Sequence, residues 1–110
     1  MRRVQRSDWF VADLEHYAAW YVEKAAWEVA EQYLSSVSAT ISRLAKMPGI
    51  GRPTFFSAPE LRGLRSHAAE PPFQKHLIFC RDEESVLYLE RIIHGARNLP
   101  RILTEPPDLD

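Results

Sequence analysis

The stretch Phe73–Leu103, FQKHLIFCRDEESVLYLERIIHGARNLPRIL, decides the fold. Phe73–Cys80 is apolar and aromatic, interrupted by Lys75 and His76. Val86–His94 alternates and is rich in Val, Ile, Leu and Tyr, the composition of a strand. Between them Asp82-Glu83-Glu84-Ser85 is a polar turn cluster. The stretch therefore reads as a β-hairpin at the centre of a sheet. Leu99–Leu103 follows as a short helical turn or docked extension.

With Glu83-Glu84 at the tip, His76 falls opposite Arg91, Ile78 opposite Leu89, and Cys80 opposite Leu87. One face then carries Phe73, Leu77, Phe79, Val86, Tyr88 and Ile92, with His94 on the same side as a hydrogen-bonded core histidine. Its aromatic bulk assigns it to a helical layer. The other carries His76, Ile78, Cys80, Leu87, Leu89, Arg91 and Ile93, joined by Arg97 if the strand runs on regularly. A one-residue slip would exchange the two faces.

Upstream, Ser7 and Asp8 are N-cap residue types. Phe10, Leu14, Tyr17 and Tyr21 share a helical face, and Ala26, Ala30, Tyr33, Val37, Ile41 and Leu44 continue the spacing to Lys46. Pro48 and Gly49 stop it. A run from 8 to 46 is too long for one helix in so small a domain, so a break is expected near Glu23–Ala25. Trp9, Trp20 and Trp27 fall off the main stripe. They either fill the groove between the two helices or form an exposed apolar patch for association. Arg2–Arg6 reads as a first strand, Met47–Pro59 as a loop, and Leu61–His67 as a strand.

Strand, two helices and three late strands predict an α+β fold: an N-terminal strand and helical hairpin packed on one face of a four-stranded antiparallel sheet. The opposite face has no cover from its own chain. It is apolar in the middle and cationic at one end, which suits a groove completed by another chain.

The 110 residues form one domain spanning 1–103 with an acidic tail at 104–110. Hydrophobic content of 45% and charged content of 26% are globular values. No apolar run is long enough to span a membrane. The single Cys80 fits a reducing, cytoplasmic setting. The net charge of −1 is unevenly spread: residues 1–7 carry +3, 8–46 carry −3, 47–103 carry +2 and the tail −3. That distribution is too weakly basic for a sequence-specific DNA binder and favours an acidic peptide partner or a local anionic target. His16, His67, His76 and His94 lack metal-ligand spacing, and one cysteine cannot build a structural zinc site, so no metal and no cofactor are expected.

The segments LRGL, FQKHLIFCRD and VLYLERIIHGARNLPRIL resemble the C-terminal half of the ParE/RelE superfamily of type II toxins, closest to the ParE branch. Arg91-Ile92-Ile93-His94-Gly95-Ala96-Arg97-Asn98 is similar to that branch's Arg–apolar–apolar–His–Gly–x–Arg–Asp segment, with Asn98 in place of the acid. Asp13-Leu14 and Leu44…Pro48…Gly51-Arg52 agree as well. The resemblance implies the toxin of a plasmid-stabilisation module, neutralised by a ParD-like antitoxin in an assembly that can be of higher order. ParE toxins are associated with inhibition of DNA gyrase, RelE toxins with cutting messenger RNA on the ribosome. By resemblance, His76 and Arg97 stand where RelE toxins have catalytic arginines, and Arg65 lies near a catalytic lysine. The late catalytic tyrosine corresponds to about Leu103, which cannot transfer a proton.

The expectation is therefore a gyrase inhibitor with no catalytic residues. The alternatives are a His76/Arg91/Arg97 ribonuclease or a degenerate member that only binds antitoxin. Antitoxin is expected on Ile78, Leu87, Leu89, Arg91, Ile93 and Arg97. On that reading, Leu89→Asp should weaken the complex while leaving the fold soluble.

Overall fold

The computed structural model describes residues 1–95 and 98–107. The chain runs β1 (Arg3–Arg6), α1 (Asp8–Lys24), α2 (Trp27–Lys46), β2 (Arg52–Pro53), β3 (Arg65–Ala68), β4 (His76–Glu83), β5 (Val86–His94) and α3 (Leu99–Thr104). Ser7 caps α1 as its residue type predicts. The Phe10 N–H donates to Ser7 Oγ at 3.0 Å, and that hydroxyl donates to the Glu90 carbonyl at 2.8 Å. One side chain thus starts the helix and ties it to β5. Ser7→Ala removes both bonds and should cost about 1–2 kcal/mol in a urea unfolding titration. A loss under about 0.5 kcal/mol would mean that water replaces them without penalty.

The helical run breaks at Ala25 and Ala26, adjoining the expected Glu23–Ala25, and needs neither Gly nor Pro to do so. Ala30, Tyr33, Val37, Ile41 and Leu44 form the buried stripe of α2. Tyr33, Val37, Ile41 and Leu44, with Phe10 of α1, pack on Phe73, Ile78, Cys80, Leu87, Leu89 and Ile92 of the sheet layer, making the main core.

The sheet has five strands in the order β1-β5-β4-β3-β2. The α+β class is as expected, but the four-stranded antiparallel sheet is corrected in two respects. β1 runs parallel to β5, pairing Arg3–Arg6 with Val86–Leu89, because the helical hairpin carries the chain over the sheet before it returns. β2 is a two-residue strand, Arg52–Pro53, too short to leave a sequence pattern. The strand expected from Leu61 begins only at Arg65, since Pro59–Leu61 forms a 3-10 turn.

The central hairpin turns at Glu84 and Ser85, both with positive φ (48° and 69°), the backbone of a two-residue type I′ turn. The tip lies one residue beyond the expected one, so Cys80 faces Leu89 and Arg81 faces Tyr88. Glu90 is then left over as a bulge, and beyond it Phe79 faces Arg91, Ile78 faces Ile92 and His76 faces His94. Two corrections follow. His76, Ile78, Cys80, Leu87 and Leu89 do share a face, but it is the face under the helices. The bulge flips parity, sending Arg91 and Ile93 to the other side and Ile92 into the helical core.

That other side is covered by the chain itself. Leu61 and Leu64, from the segment before β3, and Leu103 of α3 pack on Phe79 and Ile93, with Phe56, Leu77, Leu99 and Ile102 around them. The open apolar face predicted from the sequence is therefore a second, smaller core. The signals for its cover were a 3-10 turn and a six-residue helix, neither of which carries a visible period.

Candidate functional site

β1 stops at Arg6, so the outer edge of β5 beyond Leu89 has no strand beside it. Side chains of α1 and its cap close that edge. Ser7 Oγ donates to Glu90 O, the Ile92 N–H donates to Asp13 Oδ2 at 3.2 Å, and the His94 N–H donates to Tyr17 Oη at 3.0 Å. These three backbone groups receive local partners, which blunts the edge as a template for strand addition.

Asp13 does more than fill the edge. Arg91 Nε and Nη2 donate to its two carboxylate oxygens at 2.6 and 2.9 Å, a bidentate pair in which both residues are buried. Arg91 Nη1 donates to the carbonyls of Ile102 and Glu105 at 2.7 and 2.9 Å, satisfying oxygens at the end of α3. Trp9 covers the guanidinium, its ring centroid 5.4 Å from Cζ. Arg91 thus joins α1, β5 and α3 and points no free charge outward. The sequence held a clue to its partner: Asp13 is an acid beside Leu14 in the apolar half of a helix.

His76 and Arg91 are not opposite one another, and they occupy opposite faces of the sheet. His76 is buried, with Nε2 at 2.9 Å from Tyr21 Oη. Its Nδ1 and the Tyr33 hydroxyl have no hydrogen-bond partner among the described residues. The rings of Tyr33, His94 and Tyr17 stand 4.5, 4.6 and 4.9 Å from it. Burial first, then the neighbouring His94, pushes the His76 pKa down to about 4, so it is neutral at neutral pH. Of the other sequence-predicted residues, Ile78, Leu87, Leu89 and Ile93 are buried. Arg65 donates to the Gly51 carbonyl at 2.7 Å. Leu103 is buried in the second core. Arg97 lies outside the described residues, as do the last three residues of the acidic tail, 108–110.

The depressed His76 pKa has a definite sign. In the unfolded chain the ring titrates near its ordinary value of about 6.5 and takes up a proton there, whereas the folded chain does so only near 4. Stability is therefore full above about pH 6.5 and falls as pH drops toward 4. The loss through this group should reach about 2 kcal/mol by about pH 5. The groups facing it are Tyr17 and Tyr21 of α1, Tyr33 of α2, Phe73, and His94 of β5. Urea titrations at about pH 7 and about pH 5 on the native chain and His76→Gln check this, the variant being expected to lose most of the slope. An equal slope in both would assign the effect to other groups.

Two hollows flank this framework. One, of about 260 Å³, is lined by His16, Tyr17, Trp20, Tyr21, His76 and His94. The other, of about 430 Å³, lies between Trp9, the Glu90–Arg91 bulge, Leu61, Leu64 and Leu103, with Glu60 and Arg81 also lining it. The three tryptophans do not fill the groove between the helices: Trp9, Trp20 and Trp27 are 38, 50 and 62% exposed. Among the described residues no group of three or more His, Cys, Asp or Glu could hold a metal ion. Nor is any helix among them long and apolar enough to cross a membrane.

A solved structure titled as the chromosomal ParDE toxin–antitoxin system from P. aeruginosa superposes with a TM-score of 0.70 at 18% identity, covering 87% of this chain and 98% of that one. At that identity the likeness concerns the fold. No curated protein matches the sequence. The family model described as the ParE toxin of the type II toxin–antitoxin system, parDE, matches residues 4–99. That span takes in all of the sheet but Arg3, the helical hairpin, the Asp13–Arg91 pair and the start of α3, and on it the chain belongs to the ParE toxin family.

Proposed function

We propose that the chain is neutralised by a ParD-like antitoxin and, when free, inhibits DNA gyrase by binding, without chemistry of its own. The observation that carries this reading is the state of Arg91. Phosphodiester cleavage needs a cation free to meet the developing charge on phosphorus, and a titratable group beside it. Arg91 is buried and spent on Asp13 and two α3 carbonyls, and His76 lies on the other face of the sheet.

Antitoxin contact through Ile78, Leu87, Leu89, Arg91 and Ile93 would require them to leave their cores. The exposed Trp9, Trp20 and Trp27 supply a better surface, since tryptophan contributes large area at low entropic cost and is enriched at interface centres. A supercoiling assay with purified gyrase tests the target, and inhibition relieved by antitoxin is the expected result. Cleavage of messenger RNA in ribosome-containing reactions, with gyrase unaffected, would replace this reading with a RelE-like nuclease. Unimpaired growth on expression without antitoxin, with the antitoxin still bound, would leave only an antitoxin-binding role.

A further inference from the structure

His16, Tyr17, Trp20 and Tyr21 of α1 and His76 and His94 of the sheet wall the cavity of about 260 Å³, and every one of them is a ring. We propose that this cavity receives a lysine or arginine side chain of the antitoxin. The proposal rests on the toxin–antitoxin reading for the partner, and on the cavity alone for the chemistry.

Size comes first. Pockets for free small ligands run from about 300 to 1,000 Å³, and this one falls below them, at the scale of one side chain. Shape comes second. No two of the paired rings are parallel: the angles are 71° between His16 and Tyr17, 81° between Tyr17 and His76, 81° between Trp20 and Tyr21, 60° between His76 and His94, 50° between Tyr21 and His76 and 49° between Tyr17 and His94. Such walls make a box rather than a slot. A flat aromatic ligand needs parallel walls to stack on both faces, whereas a compact cation is attracted by any ring face turned toward it.

Charge is the third argument. Among the lining residues there is no lysine or arginine, so an anion meets no fixed counter-charge. Residues 8–46, of which α1 lines the cavity, carry six acids against three bases, one acid being the buried Asp13 that pairs with Arg91. Glu23, seven residues after His16 and three after Trp20, lies on the same side of α1; its exposed pairing with Lys24 at 3.6 Å is a weak surface contact that an incoming cation can exchange with. The floor is His76, held neutral by its burial. Its Nε2 is engaged with Tyr21 Oη at 2.9 Å, and its ring adds no charge to the wall. Half-exposed Trp20 forms the rim and offers the largest π surface.

The test uses the intact toxin alone and then with antitoxin. Ring signals of His16, Trp20, Tyr21 and His94 are followed by NMR against tetramethylammonium and Nα-acetyl-arginine amide. Neutral tert-butanol and acetate serve as controls. Both cations should shift these signals saturably, and tert-butanol should bind several-fold more weakly. Trp20→Leu, at an exposed position, should weaken cation binding about fivefold and weaken antitoxin binding in the same direction. Equal binding of tert-butanol, tighter binding of acetate, or native titration by Trp20→Leu would overturn the proposal. Antitoxin affinity separates the two layers. Tight antitoxin binding with no cation titration overturns the cavity's role and leaves the pairing standing. Cation titration with no antitoxin binding overturns the assigned partner.

Discussion

Asp13→Ala should lower the unfolding free energy by about 4 kcal/mol, the cost of leaving a buried guanidinium without its counter-ion. The carboxylate serves three donors: Arg91 Nε, Arg91 Nη2 and the Ile92 N–H. Alanine leaves all three unpaired in a buried site, and opens the edge of β5. Urea unfolding of native and variant proteins gives the difference directly. The pair itself is not a large net source of stability, because two charges were taken out of water to make it. The double replacement Asp13→Leu with Arg91→Met should therefore recover most of the loss. A deficit for Asp13→Ala below about 1 kcal/mol would mean that Arg91 finds another partner or swings into solvent.

Leu89→Asp should leave no folded protein. Leu89 is fully buried between the helical layer and the hairpin, opposite Cys80. An aspartate there would have to bury a charge or hold a proton, at a cost of several kcal/mol beyond the lost apolar contact. That exceeds what a 110-residue domain can lose from a total of about 5–15 kcal/mol. Circular dichroism and gel filtration should show an unfolded or aggregated chain. A soluble, cooperatively unfolding Leu89→Asp protein would place Leu89 at a surface, as the sequence-based face assignment has it. Leu89→Ala, expected to cost about 2–5 kcal/mol, gives a graded measure of the same core.

The sequence made the helical hairpin legible, because its stripe repeats for nearly forty residues and Ser7 is a capping residue before it. The β4–β5 hairpin was legible from composition. Which residues share a face also came through, for Ile78, Cys80, Leu87 and Leu89. Which face meets the helices did not, since both carry large apolar side chains and both are covered. The bulge at Glu90 was invisible, because a glutamate in an alternating strand reads as an ordinary outward residue. Arg91 was singled out correctly as unusual but given the wrong neighbour. Its partner is 78 residues earlier, and no local pattern links an aspartate on one helix to an arginine on a distant strand. Of the two roles open to the tryptophans in the sequence, their exposure counts against filling the groove between the helices.

The parallel pairing of the first strand with the last has a consequence for synthesis. Ser7 cannot meet the Glu90 carbonyl until the ribosome has added 83 more residues, which at ordinary elongation rates takes roughly 4–17 s. Arg91 must then wait for Ile102 and Glu105 before its last donors are satisfied. The β1–β5 pairing is of long range, unlike the local β4–β5 hairpin, so a chain truncated before β5 cannot form it. On this architecture the β1–β5 edge and the Arg91 linkage close only after Glu105 has been made.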